Sequence, residues 1–587
     1  MPRNRKSRLN STFTSTKYAS QKHIGKTIVS LYHPSTIDYY WFLVNPNTIL
    51  NTFDFVTVNN LQNTRTIGII QDLTVEVIDA STTSYFYESF LHDGPDYQQP
   101  SSISTVPHDV IIAKVAIIGN TGIMDPINHE LISLNFPVRA GNNVRFSTKD
   151  EVLFSMGVPK MGTPIPAGLI KMSNGVQIPV SLDLTYLAGP DTAHVNVSGI
   201  SGNSKSSYVL FLLQSAYQKL SNIKDGQKGS KGVSIILFNT KEDDLLYIDQ
   251  KKKSKDIDKK AKAALKYLGL DIAAFDNVTY FLPRGRDGEP NSLYIPNVFK
   301  TYSFELQDIY DRLDLLFSHP RDQYEISPLT NYILESWPLK DTNDKIISNW
   351  TELCSFVDYP ESVMSRSSLQ IFISHIQRFR RSPIFVDRKV KSTYFGNKIK
   401  DIRPNDIFVI DISLLPSLEV QRFIIGDVLK NINELYSARY SSNKKNGLDK
   451  KQQASNNLPI SELPNYILIF LDEINRFIPK SHHLQEFNSV SEEIMKVIIG
   501  GRSRGNILFS AQQFKSATDY RFQENIDLHV FGKLGTSELE TGSYYSMIDT
   551  SIRKNIARLE KGELIMVHPA FRHPVKIWFP TSSYKRK

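Results

Sequence analysis

Two short stretches of this chain carry side chains suited to handling a polyphosphate. The first is Gly199-Ile200-Ser201-Gly202-Asn203-Ser204-Lys205-Ser206-Ser207, which follows the short run His194–Ser198 and leads into SYVLFLLQSAYQKL. Strand, glycine-bearing turn and helix start, in that order, form the context of the loop pattern G-x-x-x-x-G-K-S/T. Helix-start N–H groups and the macrodipole hold the anion there, Lys205 neutralises β/γ-phosphate charge, and the Ser206 hydroxyl can ligate Mg²⁺. Ser204 stands where the second glycine of the pattern is expected. A non-glycine residue forced into left-handed geometry costs about 1–2 kcal/mol, and at negative φ that cost disappears. The competing reading is an ordinary Gly/Ser turn, as for Gly119-Asn-Thr-Gly122, which follows an apolar strand but leads to no lysine.

The second stretch, Ile467-Leu-Ile-Phe-Leu-Asp472-Glu473, is an apolar run ending in two acids. Such a pair is often a helix N-cap. Taken with Lys205, it reads instead as the acidic strand of a P-loop NTPase, with Asp472 holding the Mg²⁺ shell and Glu473 polarising the attacking water. ATP and Mg²⁺ are the expected ligands. Further on come Arg502-Ser-Arg504-Gly-Asn, the run ILFSA and Gln512-Gln513. Gln512 suits γ-phosphate sensing or a polar strand cap. Arg502 and Arg504 are either surface charges or an arginine finger supplied in trans, which demands an oligomer.

Elements to position these groups are legible in the patterning. From Lys26 to Gly157, short β-branched and aromatic runs alternate with polar turns (KTIVSLYH, YYWFLV, FDFVTV, RTIGIIQDLTVEVI, DVIIAKVAII, VRFS), which predicts a β-barrel. From about Asp191, strands alternate with helices, and the runs VSIILFN, DIFVID, YILIFLDE and NILFSA are continuously apolar, as buried parallel strands are. The interval between Asn239 and Asp406 exceeds one crossover. Leu306, Ile309, Leu313, Leu316 and Phe317, and again Leu369, Phe372, Ile373, Ile376 and Phe379, recur there at helical spacing, predicting an inserted helical subdomain. The expected class is α/β: a basic arm (1–25), a barrel (26–165), a P-loop ATPase domain with a mainly parallel sheet in two parts (185–300 and 396–587), and a helical insertion (301–395).

The order of a β-rich N-terminal region, HVNVSGISGNSKSS, IILFNTKEDDLLYID, ILIFLDEINRFIP, GRSRGNILFSAQQF and KGELIMVHPAFRHPVKIWFP resembles the HerA branch of the HerA–FtsK ATPases over most of the chain. Within that branch it is similar to proteins whose acidic motif continues as D-E-L-N, here Asp472-Glu473-Ile474-Asn475. The resemblance implies a HAS-type barrel, a RecA-like motor and a homohexameric ring moving double-stranded DNA by ATP hydrolysis, with a nuclease or other effector as partner. It gives Lys205 and Ser206 the Walker A roles, Asp472 and Glu473 the Walker B roles, Gln512 the sensor role, and Arg502 or Arg504 the trans-acting arginine. The chain departs from the family at Ser204 and at Glu242 in NTKEDD, where relatives tend to carry glycine.

Composition narrows the field. The chain has 587 residues, 40% hydrophobic and 22% charged, with 32 Phe and 27 Tyr, which excludes a disordered or collagen-like polymer. One cysteine, Cys354, excludes an intramolecular disulfide and a cysteine-rich zinc module. The net charge is +9, and no acid precedes Asp38 while Arg3, Arg5, Lys6, Arg8, Lys17, Lys22 and Lys26 make a basic arm, either a solvated tail or a phosphate contact. Without a run of about 18–20 apolar residues or a secretory h-region, a cytoplasmic protein with no membrane contact is expected. His482-His483 lacks a ligand partner at helical spacing, and no nuclease or protease constellation is present. The rival to a motor is an ATP-binding ring that turns over slowly and gates an effector, motivated by Ser204.

Overall fold

A computed structural model describes residues 22–78, 108–124, 131–189, 193–200, 202, 204–221, 232–317, 320–341, 343–356, 359, 365–388, 390–444, 463–480 and 488–586. The basic arm up to residue 21, Ser201, Asn203, His482, His483 and most of the polar stretch 441–457 lie outside the described residues. The chain divides into two compact units. The first comprises residues 1–160, 170–178 and 570–575, and the second comprises 161–169, 179–569 and 576–587.

The first unit contains a closed barrel of β1 (Gly25–Ile28), β2 (Tyr39–Val44), β3 (Phe55–Asn59), β4 (Arg65–Ile78), β5 (His108–Asn120) and β8 (Asn143–Phe146), in the order β1-β2-β5-β4-β3-β8. A two-stranded ribbon, β6 (Ile123–Met124) and β7 (Leu131–Ile132), accompanies it. Alternation of the inward residues Tyr40, Phe42 and Val44 with outward ones on β2, matched by Val56 and Val58 on β3, fills the barrel interior. Closure removes the exposed edges that a sheet of this composition would otherwise present. The segment after β8 is a helix, Lys149–Ser155, opened by a Thr148/Glu151 capping box. Glu151 is fully buried and accepts from Arg145 Nη2 at 2.7 Å and from Arg65 Nη1 at 3.1 Å, so one carboxylate ties the helix to β4 and β8.

The second unit is built on a 12-stranded sheet. Its strands are β9 (Pro164–Lys171), β10 (Gln177–Asp183), β11 (Val195–Ser198), β12 (Val233–Asn239), β13 (Val278–Pro283), β14 (Phe299–Tyr302), β15 (Ile407–Asp411), β16 (Tyr466–Leu471), β17 (Asn506–Gln512), β18 (Leu528–Phe531), β19 (Glu563–Val567) and β20 (Val575–Trp578). The order is β10-β9-β20-β19-β18-β11-β17-β16-β12-β15-β13-β14. All neighbours from β18 to β14 pair in parallel, while β18–β19 is antiparallel. The strands β11, β12, β15 and β17 are buried at every residue, and the runs of β12 (VSIILFN) and β15 (IFVID) are accordingly mostly apolar without alternation, whereas β11 (VNVS) alternates and its buried Asn196 and Ser198 are hydrogen-bonded. In this arrangement the strand leading to the glycine-bearing loop, β11, and the strand ending at the two acids, β16, are separated by β17 alone.

Between β14 and β15 the chain forms helices that share a core with the sheet, including Phe304, Leu329, Trp350, Phe372, Ile376 and Phe423. The stripe from Leu306 to Phe317 is buried as expected, but it is not one helix: Leu306–Ile309 is α-helical and Tyr310–Leu316 is 3₁₀, with a break at Arg312 (φ −136°). Arg312 is itself buried, donating to Asp427 Oδ1 at 2.8 Å and Glu434 Oε2 at 2.9 Å, and the break lets its guanidinium reach the long helix Leu418–Lys444. The second stripe lies on the helix Arg366–Arg380, with Phe372, Ile376 and Phe379 buried. Cys354, on the helix Trp350–Ser355, packs beside this core. Among the described residues no helix is long and apolar enough to cross a membrane.

Candidate functional site

The glycine-bearing loop is anchored at its first two residues to both neighbouring strands. Gly199 N–H donates to the carbonyl of Gln512 at 3.2 Å, and Ile200 N–H to the carbonyl of Lys533 at 2.9 Å. Gly202 then sits at φ 79° and Ser204 at φ 63°, so the second glycine position of the loop pattern, which Ser204 fills, is left-handed here. The Ser204 carbonyl accepts from Tyr208 N–H at 2.8 Å, which starts the helix Lys205–Ser221 at once. Its first residue is Lys205, whose Nζ donates back across the loop to the Ile200 carbonyl at 3.2 Å. Burial pulls the Lys205 ammonium below its ordinary range, opposed by the charges of Asp472 and Glu473.

The acids arrive on β16, which pairs in parallel with β12 on one side and β17 on the other. Ser206 Oγ donates to Asp472 Oδ2 at 3.0 Å, joining loop and acid strand directly. The other Asp472 oxygen accepts the Glu473 N–H at 2.8 Å. Glu473 has left-handed backbone (φ 52°, ψ 49°) and so turns its carboxylate back over the strand end, a strained geometry of the kind that costs roughly 1–3 kcal/mol. Two donors meet its Oε1: Lys241 Nζ at 2.6 Å and Gln513 Nε2 at 3.0 Å. Burial would raise the Glu473 carboxyl, but the hydrogen bonds from Lys241 and Gln513 and the charges of Lys241 and Lys205 outweigh it and hold the group below its ordinary range. The ion pair with Lys241 and the Gln513 hydrogen bond thus favour the ionised form of Glu473.

Not every residue singled out in the sequence joins this group. Gln512 is fully buried, and its amide donates to Asn196 Oδ1 at 3.0 Å and accepts from the Thr518 hydroxyl. Its neighbour Gln513, the first residue past the end of β17, is the one that meets Glu473. Arg502 and Arg504 end the helix Ser489–Arg504, which is closed by Gly505 at φ 83° and turns directly into the start of β17. Arg502 lies close enough to His194 and Asp527, the residues before β11 and β18, to shift their protonation. Both arginines thus stand at the end of the strands opposite the loop and do not meet Lys205 or Glu473 of the same chain.

Two contributors carried no sequence signal. Lys241, in the turn after β12, reaches Glu473 and also Asp472 Oδ2 at 3.4 Å. Arg586 donates to Ser207 Oγ at 2.7 Å and pairs with Asp244 at 3.4 Å. With Lys561 and residues of the loop they line an open cavity of about 370 Å³. The donor set fits the ligands expected from the loop pattern. Ser206 and Asp472 offer the hydroxyl and carboxylate oxygens that a hard cation such as Mg²⁺ prefers. The helix start, Lys205 and the further cations Lys241, Lys561 and Arg586 suit a polyphosphate.

No family model and no curated protein matches this chain. Among solved structures, it is similar to VirB4 of Thermoanaerobacter pseudethanolicus, with 15% identity and a TM-score of 0.42 over 72% of this chain and 97% of that one. The bacterial conjugative coupling protein TrwB matches at 10% identity and a TM-score of 0.38, covering 66% of this chain and 86% of that one. A genome packaging NTPase, B204 of Sulfolobus turreted icosahedral virus 2, matches at 12% identity and a TM-score of 0.22 over 32% of this chain and 72% of that one.

Proposed function

We propose that this chain is an ATP-hydrolysing motor of the HerA type, a ring, expected to be a hexamer, that moves double-stranded DNA and serves a nuclease or other effector. The observation that carries the ATPase reading is the Ser206–Asp472 hydrogen bond of 3.0 Å, which joins the Lys205 loop to the acid strand with Glu473 at its side. Ser206 and Asp472 would hold Mg²⁺, which would supply neutralisation of the polyphosphate charge. Lys205 and the N–H groups of the helix start hold the triphosphate. Glu473, kept ionised by its donors, polarises the attacking water, and Gln513 fixes the orientation of its carboxylate. Arg502 or Arg504, both at the strand ends opposite the site of their own chain, is assigned to a neighbouring subunit's nucleotide, which makes the ring a requirement for turnover. The DNA and effector assignments rest on the resemblance in sequence and on the basic balance of +9.

A second reading is favoured by the strain at Ser204 (φ 63°) and at Glu242 (φ 41°), the two positions where relatives tend to carry glycine. In that reading the ring binds ATP, turns over slowly and gates its effector. Steady-state ATP hydrolysis by the purified protein tests the assignment. Lys205→Ala is expected to lose nucleotide binding and Glu473→Gln to bind ATP without hydrolysing it. Hydrolysis that survives in both variants would overturn the assignment of the site.

A further inference from the structure

Lys241 occupies a position that neither the loop nor the acid strand accounts for. The parallel pairing of β12 with β16 brings the ends of both strands to the same edge, so the turn after β12 lies beside Asp472 and Glu473. That turn is fixed: Asn239 Nδ2 donates to the Glu242 carbonyl at 2.7 Å and to Asp411 Oδ1 at 2.9 Å, and Glu242 takes left-handed backbone at φ 41°. The result is an ammonium 2.6 Å from Glu473 Oε1 and 3.4 Å from Asp472 Oδ2, on a side chain still 42% exposed, at the wall of the same cavity as Lys205 and Ser206.

This contact has a chemical consequence. A carboxylate whose oxygen is ion-paired with an ammonium at hydrogen-bond distance is a poor acceptor for a proton from water. The two acids and the two lysines, Lys205 and Lys241, balance one another in charge, so nothing within this group draws Lys241 away. A γ-phosphate would. It brings anionic oxygens into the cavity that Lys241 lines, and the long, flexible lysine stem can move its point charge from one acceptor to the other without moving backbone. A nucleoside diphosphate carries no such group and leaves the ammonium on Glu473.

We propose that Lys241 is a γ-phosphate-sensing residue: it clamps Glu473 while the site lacks a γ-phosphate and moves onto the γ-phosphate of a bound triphosphate, freeing Glu473 to act on water. The inference rests on the reading of this pocket as an ATPase site and adds to it a device that ties activation of the base to the presence of the third phosphate.

The test compares binding of ADP and of a non-hydrolysable ATP analogue, each with Mg²⁺, to the full chain and to Lys241→Met and Lys241→Arg. Lys241→Met is expected to weaken the analogue by roughly ten- to a hundredfold, the worth of one charge-assisted hydrogen bond, while ADP affinity stays within about twofold. Lys241→Arg keeps the cation and is expected to recover most of the discrimination. In turnover, Lys241→Met is expected to raise KM for ATP while kcat falls less than in Glu473→Gln. Equal weakening of ADP and analogue, or no change for either, overturns the inference and leaves the ATPase assignment standing if Lys205→Ala still abolishes binding. Wild-type protein that binds neither nucleotide overturns both. Because Lys241 is half-exposed, folding of the variants is checked by comparing their unfolding curves with wild type, and Lys241→Gln serves as a second neutral variant with the same expected pattern.

Discussion

Ser204→Gly isolates the backbone cost of the loop from its chemistry. Ser204 sits at φ 63° with its carbonyl already bonded to Tyr208 N–H, so the left-handed turn is built into the free protein. An L-residue held there costs about 1–2 kcal/mol, which glycine relieves. Glycine also widens the unfolded ensemble, at a cost of about 0.4–1 kcal/mol. The net expectation is a gain of about 0–1.5 kcal/mol in the stability of the ATPase unit. Ser204→Val places a β-branched side chain in the same geometry and is expected to lose roughly 1–3 kcal/mol. Ser204→Ala stays near wild type. Urea unfolding of the nucleotide-free protein, followed by a probe on the ATPase unit, measures all three. A glycine variant less stable than wild type, together with a valine variant equal to it, would refute the left-handed assignment and the strain derived from it. Because the phosphate cradle uses the same backbone, glycine is expected to leave ATP affinity intact or tighten it.

Three further outcomes follow from other parts of the chain. In the barrel unit, burial would raise the Glu151 carboxyl, but the Arg145 hydrogen bond, the Thr148 N–H and the charges of Arg145 and Arg65 prevail and lower it. The contribution is therefore present above the unfolded carboxylate value of about 4.3 and lost as pH falls below it through the folded value, so barrel melting measured from pH 6 to pH 3 drops more steeply in wild type than in Glu151→Gln. Arg312→Met leaves the fully buried Asp427 without its guanidinium and is expected to cost about 3–5 kcal/mol in denaturant unfolding, with part recovered by adding Asp427→Asn. Gln513→Ala, which removes a donor from Glu473, is expected to lower kcat with little change in KM, whereas Gln512→Ala, which breaks the buried contacts to Asn196 and Thr518, lowers stability.

The parallel strands of the ATPase sheet were readable because burial on both faces removes the need for alternation, as in VSIILFN and YILIFL. The loop and the acid pair were readable because each is local, a few residues whose types and spacing carry the chemistry. What escaped depends on pairing between distant segments. VTYFLP and FKTY form β13 and β14 at the end of the sheet, but runs this short beside a glycine- and proline-bearing loop give no clear period, and their pairing with β15 and with each other defines them. The reach of Lys241 to Glu473 follows from the β12–β16 register over more than two hundred residues of chain. The choice between Gln512 and Gln513 turns on where β17 ends, with Gln512 its last, buried residue and Gln513 the first beyond it, and the sign of φ at Ser204 is not written in its residue type. The placement of Arg502 and Arg504 follows from simple direction: a helix returning from the end of β16 to the start of β17 must finish at the far edge of the sheet.

The proposed function stands or falls on coupling between ATP hydrolysis at Lys205, Asp472 and Glu473 and double-stranded DNA. The direct measurement is the ATP turnover of the purified, assembled protein with and without linear double-stranded DNA, alongside Lys205→Ala. Mg²⁺-dependent hydrolysis that is stimulated by DNA, with the stimulation weakening as salt is raised, and that is absent from the variant is the expected result. Turnover that ignores DNA, or that persists in Lys205→Ala, contradicts it.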